Sequence, residues 1–188
     1  VLDDPEIGLI IKSKKPSVIR GLPAIHPLLE RATMTGRCLR PEREWGMFAA
    51  EASFGADMAV GIDMTTAIIE VVLTGCRGVY HDAMGLRSHA FYVWGNDRII
   101  FDSLDRMVAA VKKYKHNSTQ DPSLGDWSTH LKELDPFSDE KGGERIGFYM
   151  KRLLEAYETG EGREGAVRFA NMHYAELWGD DKVFTLPH

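Results

Sequence analysis

The chain has 188 residues, of which 44% are hydrophobic and 27% charged, with a formal net charge of −5. That length suits one domain, or one domain with helical additions, and allows a full hydrophobic core. The acidic balance excludes bulk attraction to nucleic acid or anionic lipid, and no apolar run approaches the roughly 18 residues that span a bilayer.

Two cysteines, Cys38 and Cys76, lie far apart and form no CxxC pair, as expected in a reducing compartment with both thiols buried rather than bonded. No signal peptide opens the sequence, and the start at Val1 followed by Asp3, Asp4 and Pro5 reads as a piece of a longer protein. The expected location is cytoplasmic, in solution or peripheral at the inner membrane face.

Taken in chain order, Ile7 to Lys12 is a short apolar run ending in Lys12, Ser13, Lys14 and Lys15. It reads as a parallel strand buried on both faces. Ile25, Leu28, Leu29 and Ala32 recur at helical spacing, and Gly36 ends that helix. A brief strand at Cys38–Leu39 and a short helix from Met47 to Phe54 follow.

The clearest unit comes next. Ala56 to Ile62 reads as a strand, Ala67 to Leu73 as a helix apolar on nearly every side, and Gly78 to Tyr80 as the following strand. Strand, helix and strand with short links make a βαβ unit, which requires parallel strands and a right-handed crossover. The all-round apolar helix is expected in the interior.

Arg98 to Phe101 reads as one more strand. Ser103 caps a helix carrying Leu104, Met107, Val108 and Val111, expected to fray into Lys112, Lys113 and Lys115. Residues 116–126 read as a loop. Two long amphipathic helices close the chain. One places Ile146, Tyr149, Leu153 and Tyr157 on its apolar face; the other places Val167, Ala170, Tyr174, Leu177 and Trp178 there. The pattern implies an α/β fold with a parallel sheet flanked by helices, in which residues 1–135 form the core and 136–188 a helical extension packed on it.

In an open parallel sheet, ligands bind beyond the carboxyl ends of the strands. Lys12 follows the first strand, Gly61 to Thr66 follow a central one, and His81 and Asp82 follow the next. A helix N-terminus carries unpaired N–H groups and about half a positive charge, which suits a diphosphate. Thr65 and Thr66 can add hydroxyl hydrogen bonds, Glu70 one turn on can accept from a ribose, and Lys12 can neutralise phosphate as a point charge.

Each residue also has a plainer reading. Thr65 can be a simple helix cap, Glu70 a solvated carboxylate, and Lys12, Lys14 and Lys15 a solvated strand end. His81, Asp82 and His89 form either part of the donor pocket or a metal site, although their spacing matches no strong zinc motif. Trp45, Trp94 and Trp127 can stack on a base or sugar, or pack inside. The sequence contains no DxD, GxGxxG, GxxxxGK[ST] or GxSxG pattern, which makes cation-dependent sugar transfer, dinucleotide dehydrogenation, P-loop NTP hydrolysis and α/β-hydrolase chemistry poor candidates.

The series Ala56 to Ile62, Thr65, Thr66, Glu70 and Gly75 resembles the donor-binding, C-terminal half of GT-B glycosyltransferases. The later stretches Arg98 to Asp102, Leu124 to Trp127 and Asp135 to Phe137 through Ile146 resemble bacterial surface-polysaccharide biosynthesis proteins. The likeness runs from about Gly8 to Trp178. It implies a Rossmann-like sheet and a donor site for a nucleotide-diphosphate sugar at Lys12, Gly61, Thr65, Thr66, Glu70, His81, Asp82 and His89, with no metal or other cofactor. The acceptor, a saccharide or a lipid-linked acceptor, would be held by an N-terminal half that does not precede Val1. The alternatives are a non-catalytic interaction domain of a polysaccharide assembly complex and half of a sugar-nucleotide epimerase.

Overall fold

The computed structural model describes residues 1–13, 15–41 and 47–183. Lys14 and Trp45, both named above, therefore lie outside the described residues. The chain divides into two compact units, Val1–Leu134 and Asp135–His188.

The first unit opens with β1 (Leu9–Ile10), α1 (Pro16–Arg20), a 3-10 turn at Pro23–Ile25, α2 (His26–Met34) and β2 (Cys38–Leu39). β1 and β2 pair in parallel as a two-stranded sheet, with Leu9 opposite Cys38 and Ile10 opposite Leu39. Leu9 is 41% exposed and only two residues are paired, so the fully buried strand expected over Ile7 to Lys12 is corrected to a short, partly solvated one. Arg37 anchors the preceding segment by donating to the carbonyls of Val1, Asp4 and Ile7.

After α3 (Ala49–Ser53) come β3 (Met58–Ile62), α4 (Thr66–Leu73), β4 (Arg77–His81), α5 (Ala90–Gly95), β5 (Ile100–Phe101), α6 (Leu104–His116) and α7 (Leu131–Leu134). The strands form a second parallel sheet in the order β3-β4-β5, with Val60 opposite Val79 and Tyr80 opposite Ile100. The protein is thus α/β, with two small parallel sheets flanked by helices.

Alternation along each strand divides the core in two. On one face Tyr80 and Ile100 join Ile68 and Val72 of α4, Phe91 of α5, Ile99 and Trp127. On the other, Val79 and Phe101 meet Met107 of α6 and Leu124. Burying each large aliphatic side chain contributes about 1.5–3 kcal/mol.

α4 is one-sided rather than enclosed, contrary to the expectation from its composition. Ile68, Val71 and Val72 are buried, whereas Glu70 and Leu73 face outward. Eight residues on the flank of a three-stranded sheet leave one side uncovered, whatever its hydrophobicity.

Ser103 caps α6 by accepting from the Arg106 amide at 3.4 Å. The helix does not fray at its lysines but runs on to His116, with Lys113, Lys115 and His116 in the last turn, where positive charge opposes the helix dipole. Lys115 also binds Asp4 at 2.5 Å and Glu6 at 2.8 Å, which holds the N-terminal segment to α6.

The loop after α6 is a packing element. Gly125 (φ +65°) donates to the Arg98 carbonyl at 2.9 Å and accepts the Gly78 amide at 3.0 Å. Two residues on, the Trp127 indole donates to the Gly78 carbonyl at 2.8 Å while its ring is buried against Phe91 and Tyr80. Leu124 to Trp127 therefore closes β4 from outside the strand ladder.

In the second unit, α8 (Gly142–Glu158) and α9 (Arg163–Trp178) pack on each other. The buried stripes match those expected only in part: Ala170 is buried, and Tyr149, Leu153, Tyr174 and Trp178 are half-buried. Arg145 and Ala156 of α8 and Ala166 and Ala170 of α9 are buried, whereas Ile146, Tyr157 and Leu177 are 68%, 48% and 60% exposed. Small residues let the helices approach closely, so the seam runs along the alanines while larger neighbours turn outward. Asp135 accepts from the amides of Phe137 and Ser138, and Arg145 lies 3.6 Å from the Phe137 ring centroid and pairs with Asp139. That clasp gives the stretch from Asp135 to Arg145 a structural role. Among the described residues, no helix is long and apolar enough to cross a membrane.

Candidate functional site

The carboxyl ends of β3 and β4 meet at one edge of the three-stranded sheet. Beyond Ile62 the chain turns through Asp63, a non-glycine residue with φ +57°, whose amide donates to the His81 carbonyl at 2.8 Å. Its carboxylate accepts the Ala83 amide at 3.1 Å. The turn entering α4 and the loop leaving β4 are thereby fastened side by side.

Thr65 occupies the N-cap position of α4 with extended backbone, yet its hydroxyl makes no capping bond. Among the described residues the side chains of Thr65, Thr66 and Glu70 have no hydrogen bond or ion pair, and all three are exposed. The simple-cap reading of Thr65 is therefore corrected: the first-turn N–H groups of α4 have no side-chain acceptor from it.

Gly61 acts through its missing side chain. A Cβ there would lie 2.6 Å from Ile68 Cγ1 and 3.0 Å from the Tyr80 ring, so the glycine lets α4 and Tyr80 come against β3. That contact is inside the core face of the sheet.

The residues after β4 have separate settings. His81 alternates to the face opposite Tyr80, half-buried, with Nδ1 3.3 Å from the Phe101 carbonyl. Asp82 is buried and accepts from the amides of Met84 at 3.1 Å and Gly85 at 2.8 Å, and from the Tyr92 hydroxyl at 2.6 Å. Burial alone would raise its pKa; the bonds from Tyr92, Gly85, Met84 and Leu86 together outweigh that and hold it below the ordinary carboxylate value. Tyr92, half-buried and bonded to that carboxylate, is pushed up to about 12 by desolvation and by the carboxylate. His89 accepts the Phe91 amide at 3.3 Å and packs edge-on to the Phe91 ring, so it caps α5.

Lys12 belongs to the other sheet. It is exposed, and Nζ donates to the Ser13 carbonyl at 2.8 Å. Of the tryptophans, Trp127 is buried, and Trp94 lies against Phe91 and stacks on His130 at 4.6 Å. Thus Thr65, Thr66 and Glu70 share one accessible helix start, Gly61 and Asp82 shape its surroundings, and His89 is spent on a cap. Among the described residues, no group of three or more His, Cys, Asp or Glu side chains is placed to hold a metal ion.

Two features of this edge escaped the reading of the sequence. Asp102, just beyond β5, pairs with both Arg87 and Arg106, and Arg106 also reaches Asp97 at 2.7 Å. Tyr80, fully buried, donates its hydroxyl to the Thr65 carbonyl. Only the second carried a signal: a polar-tipped aromatic within a run that is otherwise small or apolar. The ion pairs join three loops and have no signature in sequence spacing.

No protein-family model matches the chain, and comparison with curated proteins and with solved structures returned no match.

Proposed function

We propose that this chain is the donor-binding half of a GT-B-type glycosyltransferase of surface-polysaccharide synthesis, taking a nucleotide-diphosphate sugar. The observation that carries the reading is the exposed start of α4. Unused hydroxyls at Thr65 and Thr66, uncapped amides and the free Glu70 carboxylate stand together at the carboxyl edge of a parallel sheet.

In this reading the diphosphate lies on the α4 N-terminus and the ribose hydroxyls bond to Glu70. Transfer breaks the bond between the anomeric carbon and a diphosphate oxygen, and an acceptor hydroxyl forms the new one. Negative charge grows on the leaving diphosphate, where fixed N–H dipoles and hydroxyls stabilise it without reorganising. Lys12 adds positive charge, provided the two parallel sheets act as one Rossmann-like surface. The approach of Ile10 on β1 to Gly55, which follows α3, supports that continuity. The acceptor and the catalytic base belong to a separate N-terminal half.

The test is calorimetric or NMR titration of the chain with UDP, CDP, GDP and ADP. One diphosphate should bind saturably. Glu70→Ala should then raise its Kd about tenfold, the order expected for losing one charge-assisted hydrogen bond of roughly 1.5 kcal/mol. Unchanged affinity in that variant would remove the ribose role.

A second reading, an interaction domain of a polysaccharide assembly complex, has its own support. Ile146, Met150, Leu154 and Tyr157 of α8 recur at helical spacing and are 68%, 51%, 58% and 48% exposed. It requires that no nucleotide bind saturably, so the same titration separates the two.

A further inference from the structure

The net charge of −5 rules out bulk attraction to an anionic surface, but that charge is unevenly spread. Residues 7–29 contain no aspartate or glutamate and carry Lys12, Lys14, Lys15 and Arg20, which leaves the rest of the chain at −9 (−5 − 4). A local excess of this kind acts within a Debye length, about 10 Å at 0.1 M salt, so distant carboxylates do little to cancel it. Lys12 and Lys15 are exposed and, among the described residues, belong to no ion pair.

The same stretch turns apolar side chains to solvent. Between residues 16 and 29 only Ser17, Arg20 and His26 are polar. Val18 of α1 is 56% exposed, Leu22 49% and Leu28 of α2 52%, and Pro23, Ala24 and Pro27 are exposed between them. The backbone beneath is ordered by its own bonds. The amides of Gly21, Leu22 and Ile25 close turns onto the carbonyls of Ser17, Ile19 and Leu22. His26 Nε2 lies 3.2 Å from the Ile19 carbonyl, which ties α2 to α1. Ile19, Ile25 and Leu29 point inward and are half-buried, so the outward residues are a second apolar surface on the same segment. Contiguous apolar exposure rimmed by charge marks a surface that meets a partner.

The chemistry selects the partner. Nucleic acid would take the cations but has no apolar phase for Val18, Leu22 and Leu28. Protein interfaces draw on aromatic residues and are poor in lysine, whereas residues 1–44 contain no Phe, Trp or Tyr and three of the four cations are lysines. An anionic bilayer takes both kinds of side chain: aliphatic groups enter the boundary between headgroups and acyl chains, and each nearby Lys or Arg gains about fivefold in partition. Stable peripheral binding needs two such signals together.

We infer that the surface formed by α1 and the start of α2 docks on an anionic phospholipid bilayer, with Val18, Leu22 and Leu28 entering the headgroup boundary and Lys12, Lys15 and Arg20 meeting the lipid phosphates. The inference stands apart from the donor-half reading, since it involves no nucleotide.

The experiment is flotation of the full chain, without nucleotide, with vesicles of phosphatidylcholine alone and of equal parts phosphatidylcholine and phosphatidylglycerol. The expected result is binding to the mixed vesicles only, reduced severalfold between about 0.1 M and about 1 M salt. Lys12→Gln with Lys15→Gln should weaken that binding about tenfold or more. Val18→Ser with Leu22→Ser should weaken it about fivefold or more at unchanged charge. Lys112→Gln with Lys113→Gln, an equal loss of charge on α6, should bind as the wild type does. All six positions are exposed, so none of these variants disturbs the core. Failure of the wild-type chain to bind the mixed vesicles would overturn the inference, and binding to polyglutamate in its place would assign the patch to an acidic protein. Binding left unchanged by Val18→Ser with Leu22→Ser, or weakened as much by the α6 pair as by the Lys12 and Lys15 pair, would overturn it as well.

Discussion

Replacing Gly61 by alanine tests how α4 is held at the candidate site. A Cβ at that position would stand 2.6 Å from Ile68 Cγ1 and 3.0 Å from the Tyr80 ring, against an ordinary carbon–carbon separation of about 3.5–4.0 Å. Relief needs a shift of about 1 Å, and Ile68 has little freedom to give it. Its Cγ2 already lies 2.6 Å from where a Cβ on Gly78 would stand, so Ile68 is seated between two glycines on neighbouring strands. Overpacking of this kind costs about 1–3 kcal/mol, offset by roughly 0.5–1 kcal/mol from the lower chain entropy of alanine. A net loss of about 1–2 kcal/mol should lower Tm by about 2–8 °C. Thermal and urea unfolding of Gly61→Ala, Ile68→Ala and the double variant measure it. Removing both γ-carbons of Ile68 frees the space, so the double variant should be more stable than the sum of the single losses by about 1 kcal/mol or more. Additivity within about 0.5 kcal/mol would refute the steric argument.

Trp127→Phe should destabilise by about 1–3 kcal/mol, because it leaves the Gly78 carbonyl without its indole donor in a buried setting; urea unfolding reads the loss, and a change under 0.5 kcal/mol would contradict it. The Asp82–Tyr92 pair sets two pH limits. Asp82 has its pKa lowered by folding, so its contribution is complete above the unfolded carboxylate value of about 4 and fades as pH falls through the folded value. Tyr92 is raised to about 12, so its contribution is complete below about 10 and fades as pH rises toward 12. Asp82→Asn should flatten the acid limb of stability and bring the Tyr92 ultraviolet titration part of the way down, burial keeping it above 10; an unchanged tyrosine titration would show that the pair is not coupled.

Much of the fold near the site was legible because it rests on local regularities. The βαβ unit from Met58 to His81 follows from two short β-rich runs around a helical one, and parallel pairing follows from the crossover between them. The cap at Ser103 follows from one hydroxyl at a helix start. Thr65, Thr66 and Glu70 fall together at an accessible helix start because their spacing along one turn is itself local. The burial of Asp82 and the capping use of His89 were not legible, since each depends on a loop conformation with partners up to ten residues away. In unit 2 the burial of Ala170 was legible but the outward turn of Ile146, Tyr157 and Leu177 was not, because the apolar period of α8 and α9 allows several stripes and the small alanines chose the seam.

What the sequence determined by itself is what periodicity and short-range sterics control: element type, a parallel connection, helix starts and stops, and which residues stand at strand ends. The tertiary structure alone decided which of those residues are free and which are engaged. Two glycines on adjacent strands matter because Ile68 lands between them, and Leu124 to Trp127 matters because it closes on Gly78, 47 residues before Gly125 (125 − 78). The Tyr80 hydroxyl meets a turn fifteen residues earlier in the chain. Such contacts depend on sheet register and on which face each residue takes, and no spacing along one segment encodes where a distant segment will dock.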